Sequence, residues 1–182
     1  MNETLIINLI GGPGCGKSTS ASGIFYELKK HGINCELSLE FAKDKVWEES
    51  YKVLDDQFYV FGKQYHKLFR LKNKVDVVIT DSPLVISMHY NKAPSEYFNN
   101  LVVEQYNTFN NLLFFIKRGN TYQPEGRLQT LEESKRIDDD IKNILDAHNI
   151  EYIEIPCENA VDYIVKHVLN IFNNKNKDNN ND

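Results

Sequence analysis

The sequence has few cysteines, no long hydrophobic run and no excess of positive charge. Its three cysteines, Cys15, Cys35 and Cys157, lie far apart and match no zinc or C-x-x-C spacing, which argues against a disulfide framework. The opening MNETLIINLIGG lacks a basic start, and its apolar run is too short to span a bilayer. A net charge of −5 offers no general basic surface for nucleic acid. We therefore expect a reduced, cytoplasmic protein that does not enter membranes.

The length and composition are those of one ordinary globular domain. With 182 residues, 41% of them hydrophobic, the chain can bury a core without disulfide or metal support. We predict a single domain over residues 1–172. Residues 173–182, NNKNKDNNND, are polar and of low complexity, and we predict that they form a disordered tail.

Five apolar segments alternate with segments of helical periodicity. The predicted strands cover residues 4–10, 33–39, 75–80, 112–116 and 151–155. Helices are predicted over residues 17–30, after Glu40, after Asp56, from Leu131 and around residues 161–169. Strands that are apolar throughout are typical of a parallel sheet covered by helices on both faces. The pattern predicts a three-layer α/β fold that binds its ligand at the carboxyl ends of the strands.

The segment GGPGCGKS, residues 11–18, satisfies the phosphate-loop pattern G-x-x-x-x-G-K-[ST] between a predicted strand and a predicted helix. In such a loop the backbone N–H groups and the helix N-terminus hold phosphate oxygens. Lys17 would reach the terminal phosphates, and the hydroxyl of Ser18 would hold Mg²⁺. The predicted ATP-binding residues are Gly12, Gly14, Cys15, Gly16, Lys17, Ser18 and Thr19.

Two carboxylates follow predicted strands. Asp81 ends the run VDVVIT and fits a Walker B carboxylate that holds Mg²⁺ directly or through water. Glu40 follows the second strand, where it could take the proton of an acceptor hydroxyl or hold the acceptor in place. The alternative for Glu40 is a helix-capping or surface glutamate. Asp76 begins the strand at the opposite edge of the sheet, and we interpret it as a solvated residue.

A loop of sequence KRGNTYQPEGRLQT, residues 117–130, carries several basic side chains. We predict that Arg127 is a lid arginine that stabilises the charge of a transferred phosphoryl group, with a solvated loop charge as the alternative. Lys117 and Arg118 are further basic residues of this loop. Tyr122 is a candidate substrate contact. Gln57, on the polar face of a helix whose aromatic residues are mostly core, is a weaker candidate.

These motifs together resemble a known family. The series GGPGCGKST, LEFAKD, DDQFYVFGKQ, VITDSP and EGR resembles the small P-loop kinases of nucleosides and nucleotides. It is most similar to the nicotinamide-riboside-kinase-like ATP-binding proteins of bacteria and bacteriophages. The resemblance implies a P-loop NTPase fold with a five-stranded parallel sheet and a lid loop, and transfer of the γ-phosphoryl group of ATP, with Mg²⁺, to a small acceptor. It assigns Glu40 to the acidic position after the second strand and Arg127 to the lid.

The sequence leaves the acceptor open. TDSP stands where deoxynucleoside kinases usually carry Glu-Arg-Ser, so the acceptor contacts of that branch are not carried over. A nucleoside, nucleotide or related ribosyl compound is the leading hypothesis. The alternatives are a kinase of a modified base in DNA, which the negative charge disfavours, and a nucleotide-dependent ATPase or switch. The oligomeric state is also open, with a homodimer as one option.

Overall fold

Five strands form one parallel sheet in the computed structural model, which describes residues 3–92, 95–119 and 130–178, without the side chains of 175–178. The strands are β1 Leu5–Ile10, β2 Cys35–Ser38, β3 Val77–Thr80, β4 Asn110–Lys117 and β5 Ile153–Pro156. Their order is β2-β3-β1-β4-β5, and every neighbouring pair is parallel. Because β1 lies in the middle, the loop that follows it opens at the centre of the carboxyl edge.

Seven α-helices connect and cover the strands within the described part of the chain. They are α1 Lys17–Lys30, α2 Phe41–Trp47, α3 Gln57–Phe69, α4 Ile86–Tyr90, α5 Glu96–Tyr106, α6 Leu131–Ala147 and α7 Ala160–Asp178. Helix α3 begins where the sequence predicts, because the side chain of Asp56 accepts a hydrogen bond from the backbone N–H of Tyr59. Helix α6 begins with a capping box between Thr130 and Glu133.

The sheet separates two apolar cores. Leu5, Ile7 and Leu9 of β1 point into a core formed with α1 and α7. Ile6 and Ile10 point to the opposite face, into a core that contains residues of α3, α4, α5 and α6. All six residues of β1 are buried, as a strand covered on both faces must be. The predicted three-layer α/β fold with a five-stranded parallel sheet is confirmed.

Two helices lie in a region where the sequence pattern predicts none. Helix α4 has only five residues, too few for a periodic signal. Helix α5 begins at the cap of Ser95, whose side chain accepts from the N–H of Phe98, but its aromatic residues and asparagines obscure the helical pattern.

The last helix is longer than predicted. Helix α7 continues to Asp178, past the boundary at 172, because each residue added to a packed helix gains one backbone hydrogen bond even where its side chain is polar. The beginning of the predicted disordered tail is therefore helical.

None of the helices in the described ranges is long and apolar enough to cross a membrane.

Candidate active site

The loop after β1 joins the sheet to the N-terminus of α1. Gly16 is the N-cap residue of α1 and has φ 95°, a left-handed conformation that favours glycine. Since it has no side chain, no cap competes for the first N–H groups of the helix, and the first turn of α1 carries no acidic residue. These free donors and the positive end of the helix dipole make the loop suited to an anion.

Lys17 folds back over the loop. Its Nζ donates to the carbonyl oxygens of Gly11 at 2.7 Å and Gly12 at 3.0 Å. Burial lowers the pKa of Lys17, but nearby acidic groups, among them Cys15 and Glu40, outweigh that effect and raise it. The lysine is therefore charged and held next to the loop.

Asp81 joins three elements at the carboxyl edge. It directly follows β3 and is 2% exposed. Its Oδ2 accepts from the hydroxyl of Ser18 at 2.5 Å, and its Oδ1 accepts from the backbone N–H of Glu40 at 2.9 Å. One carboxylate thus fixes the start of α1 and the end of the segment after β2.

Glu40 lies at the N-cap position of α2, but its side chain caps no N–H group of that helix. Burial raises the pKa of Glu40, and the positive charge of Lys17 only partly opposes this effect. The neighbouring N–H of Phe41 donates instead to Oε1 of Gln64 at 3.2 Å. The side chain of Glu40 therefore does not cap α2, and the charges of Lys17 and Asp81 both act on its carboxyl group.

Tyr90, the last residue of α4, interacts electrostatically with Lys17 and Glu40. Burial raises the pKa of Tyr90, with the charge of Lys17 opposing the effect and the charge of Glu40 adding to it. The sequence gives no signal for Tyr90, because α4 is too short to show helical periodicity. We refer to Lys17, Glu40, Asp81 and Tyr90 as the open cluster.

A second charged group contacts the other side of the loop. Asp138 of α6 accepts from the backbone N–H of Gly12 at 2.6 Å through Oδ1. Its Oδ2 accepts from Nε of Arg118 at 2.9 Å and from Nη2 at 2.5 Å. Arg118 also donates to the carbonyl oxygens of Pro13 at 3.1 Å and Ser134 at 3.0 Å. We refer to Arg118 and Asp138 as the paired cluster.

A family model described as an AAA domain matches residues 6–162. The chain belongs to this AAA-domain family. A search of curated proteins found no significant match.

Two solved structures share the fold of this AAA domain. NadR protein, solved in complex with NR, superposes with a TM-score of 0.61 at 15% identity, over 83% of this chain and 45% of NadR. The chain thus spans less than half the length of NadR. Thymidylate kinase from Ehrlichia chaffeensis has a TM-score of 0.60 at 13% identity, over 92% of this chain and 100% of the kinase. At these identities the two matches show a shared fold.

Two oxygen atoms beside the phosphate loop of this AAA domain could serve as ligands of Mg²⁺. The hydroxyl of Ser18 and the carboxylate of Asp81 are adjacent hard oxygen ligands beside the phosphate loop. Among the described residues, no group of three or more histidine, cysteine or acidic side chains could hold a metal by itself. That arrangement fits Mg²⁺, which is usually held by one or two carboxylates together with substrate phosphates and water.

The remaining predicted site residues have different outcomes. Arg127 and Tyr122 lie outside the described residues. Gln57 is 8% exposed, and its Nε2 donates to the carbonyl oxygen of Leu54 at 2.7 Å, so its amide N–H₂ is engaged at the start of α3. Cys15 is buried in the loop.

Proposed function

We propose that this protein is a Mg-ATP-dependent phosphotransferase that acts on a nucleoside, a nucleotide or a related ribosyl compound. The observation that supports the proposal most strongly is the double contact of Asp81 with Ser18 and with the backbone of Glu40. It joins the phosphate-loop helix, a carboxylate suited to a metal ion and the residue that carries a second carboxyl group. The folds of NadR, solved with NR, and of thymidylate kinase support the same class of acceptor.

In this proposal the loop N–H groups and the N-terminus of α1 hold the triphosphate. Lys17 leaves the carbonyls of Gly11 and Gly12 and contacts the terminal phosphates, to which it brings its positive charge. Ser18 and Asp81 would hold Mg²⁺, which neutralises negative charge on the phosphate oxygens when bound. These contacts fix the phosphoryl group before transfer, so that little reorganisation is needed during the reaction.

Glu40 acts on the acceptor. Its carboxylate orients the acceptor hydroxyl and takes its proton as the oxygen attacks the phosphorus. Burial raises the pKa of Glu40, which brings its basicity closer to neutral pH and makes it a better proton acceptor. Tyr90, beside Glu40, completes this side of the site. We further propose that residues 1–172 constitute the single kinase domain.

The proposal is tested by measuring ATP consumption with and without a panel of acceptors. The panel contains nucleosides, nucleoside monophosphates, a nicotinamide nucleoside and single-stranded DNA, and mass spectrometry identifies the phosphorylated product. We expect at least one small acceptor to accelerate ATP loss, and Asp81→Asn to abolish this acceleration. ATP hydrolysis that no acceptor accelerates would instead favour the ATPase or switch alternative.

A further inference from the structure

The first half of the phosphate loop is held by side chains rather than left free for phosphate. The carbonyl oxygens of Gly11 and Gly12 accept from Lys17, and that of Pro13 accepts from Arg118. The N–H of Gly12 donates to Asp138, and Pro13 has no N–H. Residues 12 and 13 therefore offer no free N–H group to a phosphate.

The contact between the loop and the paired cluster is close. A Cβ atom placed on Gly12 would lie 2.5 Å from the carbonyl oxygen of Ser134, 2.8 Å from Oδ1 of Asp138 and 2.9 Å from Nη2 of Arg118. The side chains of Arg118 and Asp138 are only 13% and 16% exposed. Such a contact holds the backbone of residues 12 and 13 against α6.

Lys17 cannot hold the loop and a phosphate at the same time. When its amino group moves to a phosphate, the carbonyls of Gly11 and Gly12 lose their donor. The bonds from Asp138 and Arg118 are then the side-chain contacts that keep the first half of the loop in place. A loop that is already ordered loses less conformational entropy on binding, so its affinity is higher.

We propose that Asp138 is a positioning residue for triphosphate binding, and that with Arg118 it keeps the first half of the loop in the conformation that accepts phosphate. The inference rests on the phosphate-binding part of the proposed function and not on the identity of the acceptor. It assigns Arg118 to positioning as well, since four hydrogen bonds to Asp138, Pro13 and Ser134 already engage its guanidinium.

The negative charge of Asp138 also affects triphosphate binding. A carboxylate next to a triphosphate repels it unless a cation neutralises the carboxylate. Arg118 supplies that cation. Removing Arg118 alone should therefore weaken triphosphate binding more than removing Arg118 and the charge of Asp138 together.

The experiment measures the Kd of two probes by titration calorimetry in the presence of Mg²⁺: inorganic tripolyphosphate and a nonhydrolysable ATP analogue. The variants are Asp138→Ala, Asp138→Asn, Arg118→Met and the double variant Arg118→Met/Asp138→Asn. Asp139→Ala is the matched control, since it removes the adjacent, exposed carboxylate of the same helix. Urea unfolding of each variant gives its stability separately.

We expect Asp138→Ala to raise the Kd of both probes by the same factor, about tenfold or more. This factor corresponds to the loss of one hydrogen bond to a charged group. Asp138→Asn keeps a hydrogen-bond acceptor for the N–H of Gly12, so it should lose less affinity for the probes. It replaces Asp138→Ala in the experiment if the alanine variant does not fold. Asp139→Ala should bind like the parent protein. The double variant should bind tripolyphosphate more tightly than Arg118→Met.

Three outcomes would overturn the inference. In the first, Asp138→Ala lowers stability but leaves both Kd values unchanged, which makes the pair purely structural. In the second, only the ATP analogue loses affinity, which makes the pair a contact of the nucleoside part. In the third, the parent protein binds neither probe, and the proposed function then fails as well.

Discussion

Two charged clusters lie on opposite sides of one phosphate loop, and they differ in how far the protein itself satisfies them. In the paired cluster, Arg118 and Asp138 bind each other and three backbone groups of the loop and α6. In the open cluster, Lys17 donates to two loop carbonyls, the side chain of Glu40 caps no N–H group of α2, and desolvation outweighs the lysine's charge in setting the pKa of Glu40. Charges that pair with each other and with backbone groups stabilise structure, whereas a carboxyl group that its surroundings keep from ionising readily marks a place for a ligand.

The largest expected effect is that of Lys17→Ala in the open cluster. The lysine brings charge to the phosphates, and its hydrogen-bond partners in the protein are the carbonyls of Gly11 and Gly12 and Sγ of Cys15. We expect ATP turnover to fall by at least about 10³-fold, as when a key electrostatic donor is removed. Circular dichroism should show an unchanged fold. If Lys17→Ala kept most of its turnover, Lys17 would have no role in the reaction, and the two clusters would not differ in function.

Glu40→Gln should have the next largest effect. If Glu40 takes the acceptor proton, transfer falls by about 10²- to 10⁴-fold, the loss typical for a general base. ATP binding should barely change, because Lys17 and the loop hold the triphosphate. Steady-state kinetics with the identified acceptor, and calorimetry with the ATP analogue, separate these effects. An equal loss of transfer and of acceptor-independent hydrolysis would contradict the role in acceptor activation.

Glu40→Gln also tests how the free energy of unfolding depends on pH. Burial raises the pKa of Glu40 above its ordinary value of 4.5, so the folded protein resists ionising this carboxyl group. Below that value the group is neutral in both the folded and unfolded states and costs nothing; as pH rises through the raised pKa, stability is lost. In magnesium-free buffer, Glu40→Gln should therefore be more stable than the parent at neutral pH and equal to it below the ordinary pKa. Urea unfolding across this range measures the difference.

The sequence alone predicts the open cluster better than the paired one. The phosphate-loop spacing identifies Lys17 and Ser18, and the rule that parallel strands end at one edge brings Asp81 and Glu40 beside them. Tyr90 could not be predicted, because a five-residue helix shows no periodicity.

Asp138 was missed for a different reason. It is the first of three consecutive aspartates, and composition does not distinguish them. The helical spacing does carry a signal: Ser134 lies four residues before Asp138 and is fully buried, so Asp138 borders the packed face of α6, whereas Asp139 and Asp140 are exposed. Which backbone group Asp138 meets there is set by the tertiary fold, which no local pattern describes.

A smaller effect is expected when the paired cluster is disturbed without changing any charge. In Gly12→Ala the new methyl group would meet a backbone oxygen and both charged side chains, so something must shift. We expect a loss of about 1–3 kcal/mol in the free energy of unfolding, as for overpacking, and weaker triphosphate binding. The control is Gly62→Ala in α3, where a Cβ meets nothing within 4 Å and should stabilise the helix by about 0.5–1 kcal/mol. Unchanged stability and affinity in Gly12→Ala would mean that the paired cluster is loosely packed.

The smallest expected effect comes from an ion pair outside both clusters. Lys92 and Asp55 approach to 2.5 Å, but their side chains are 79% and 62% exposed. Water and salt screen such a pair, so Lys92→Met should lower the free energy of unfolding by less than about 1 kcal/mol, and the difference should vanish in high salt.

Arg118→Met makes the same kind of change in a mostly buried ion pair. It should lower the free energy of unfolding by about 2 kcal/mol or more, and this loss should persist in salt, because the change leaves Asp138 without its cation. Urea titrations at low and high salt compare the two variants directly. If both variants lost the same unfolding free energy and both losses vanished in salt, Arg118 and Asp138 would form an ordinary surface ion pair. Their burial would then not stabilise the phosphate loop.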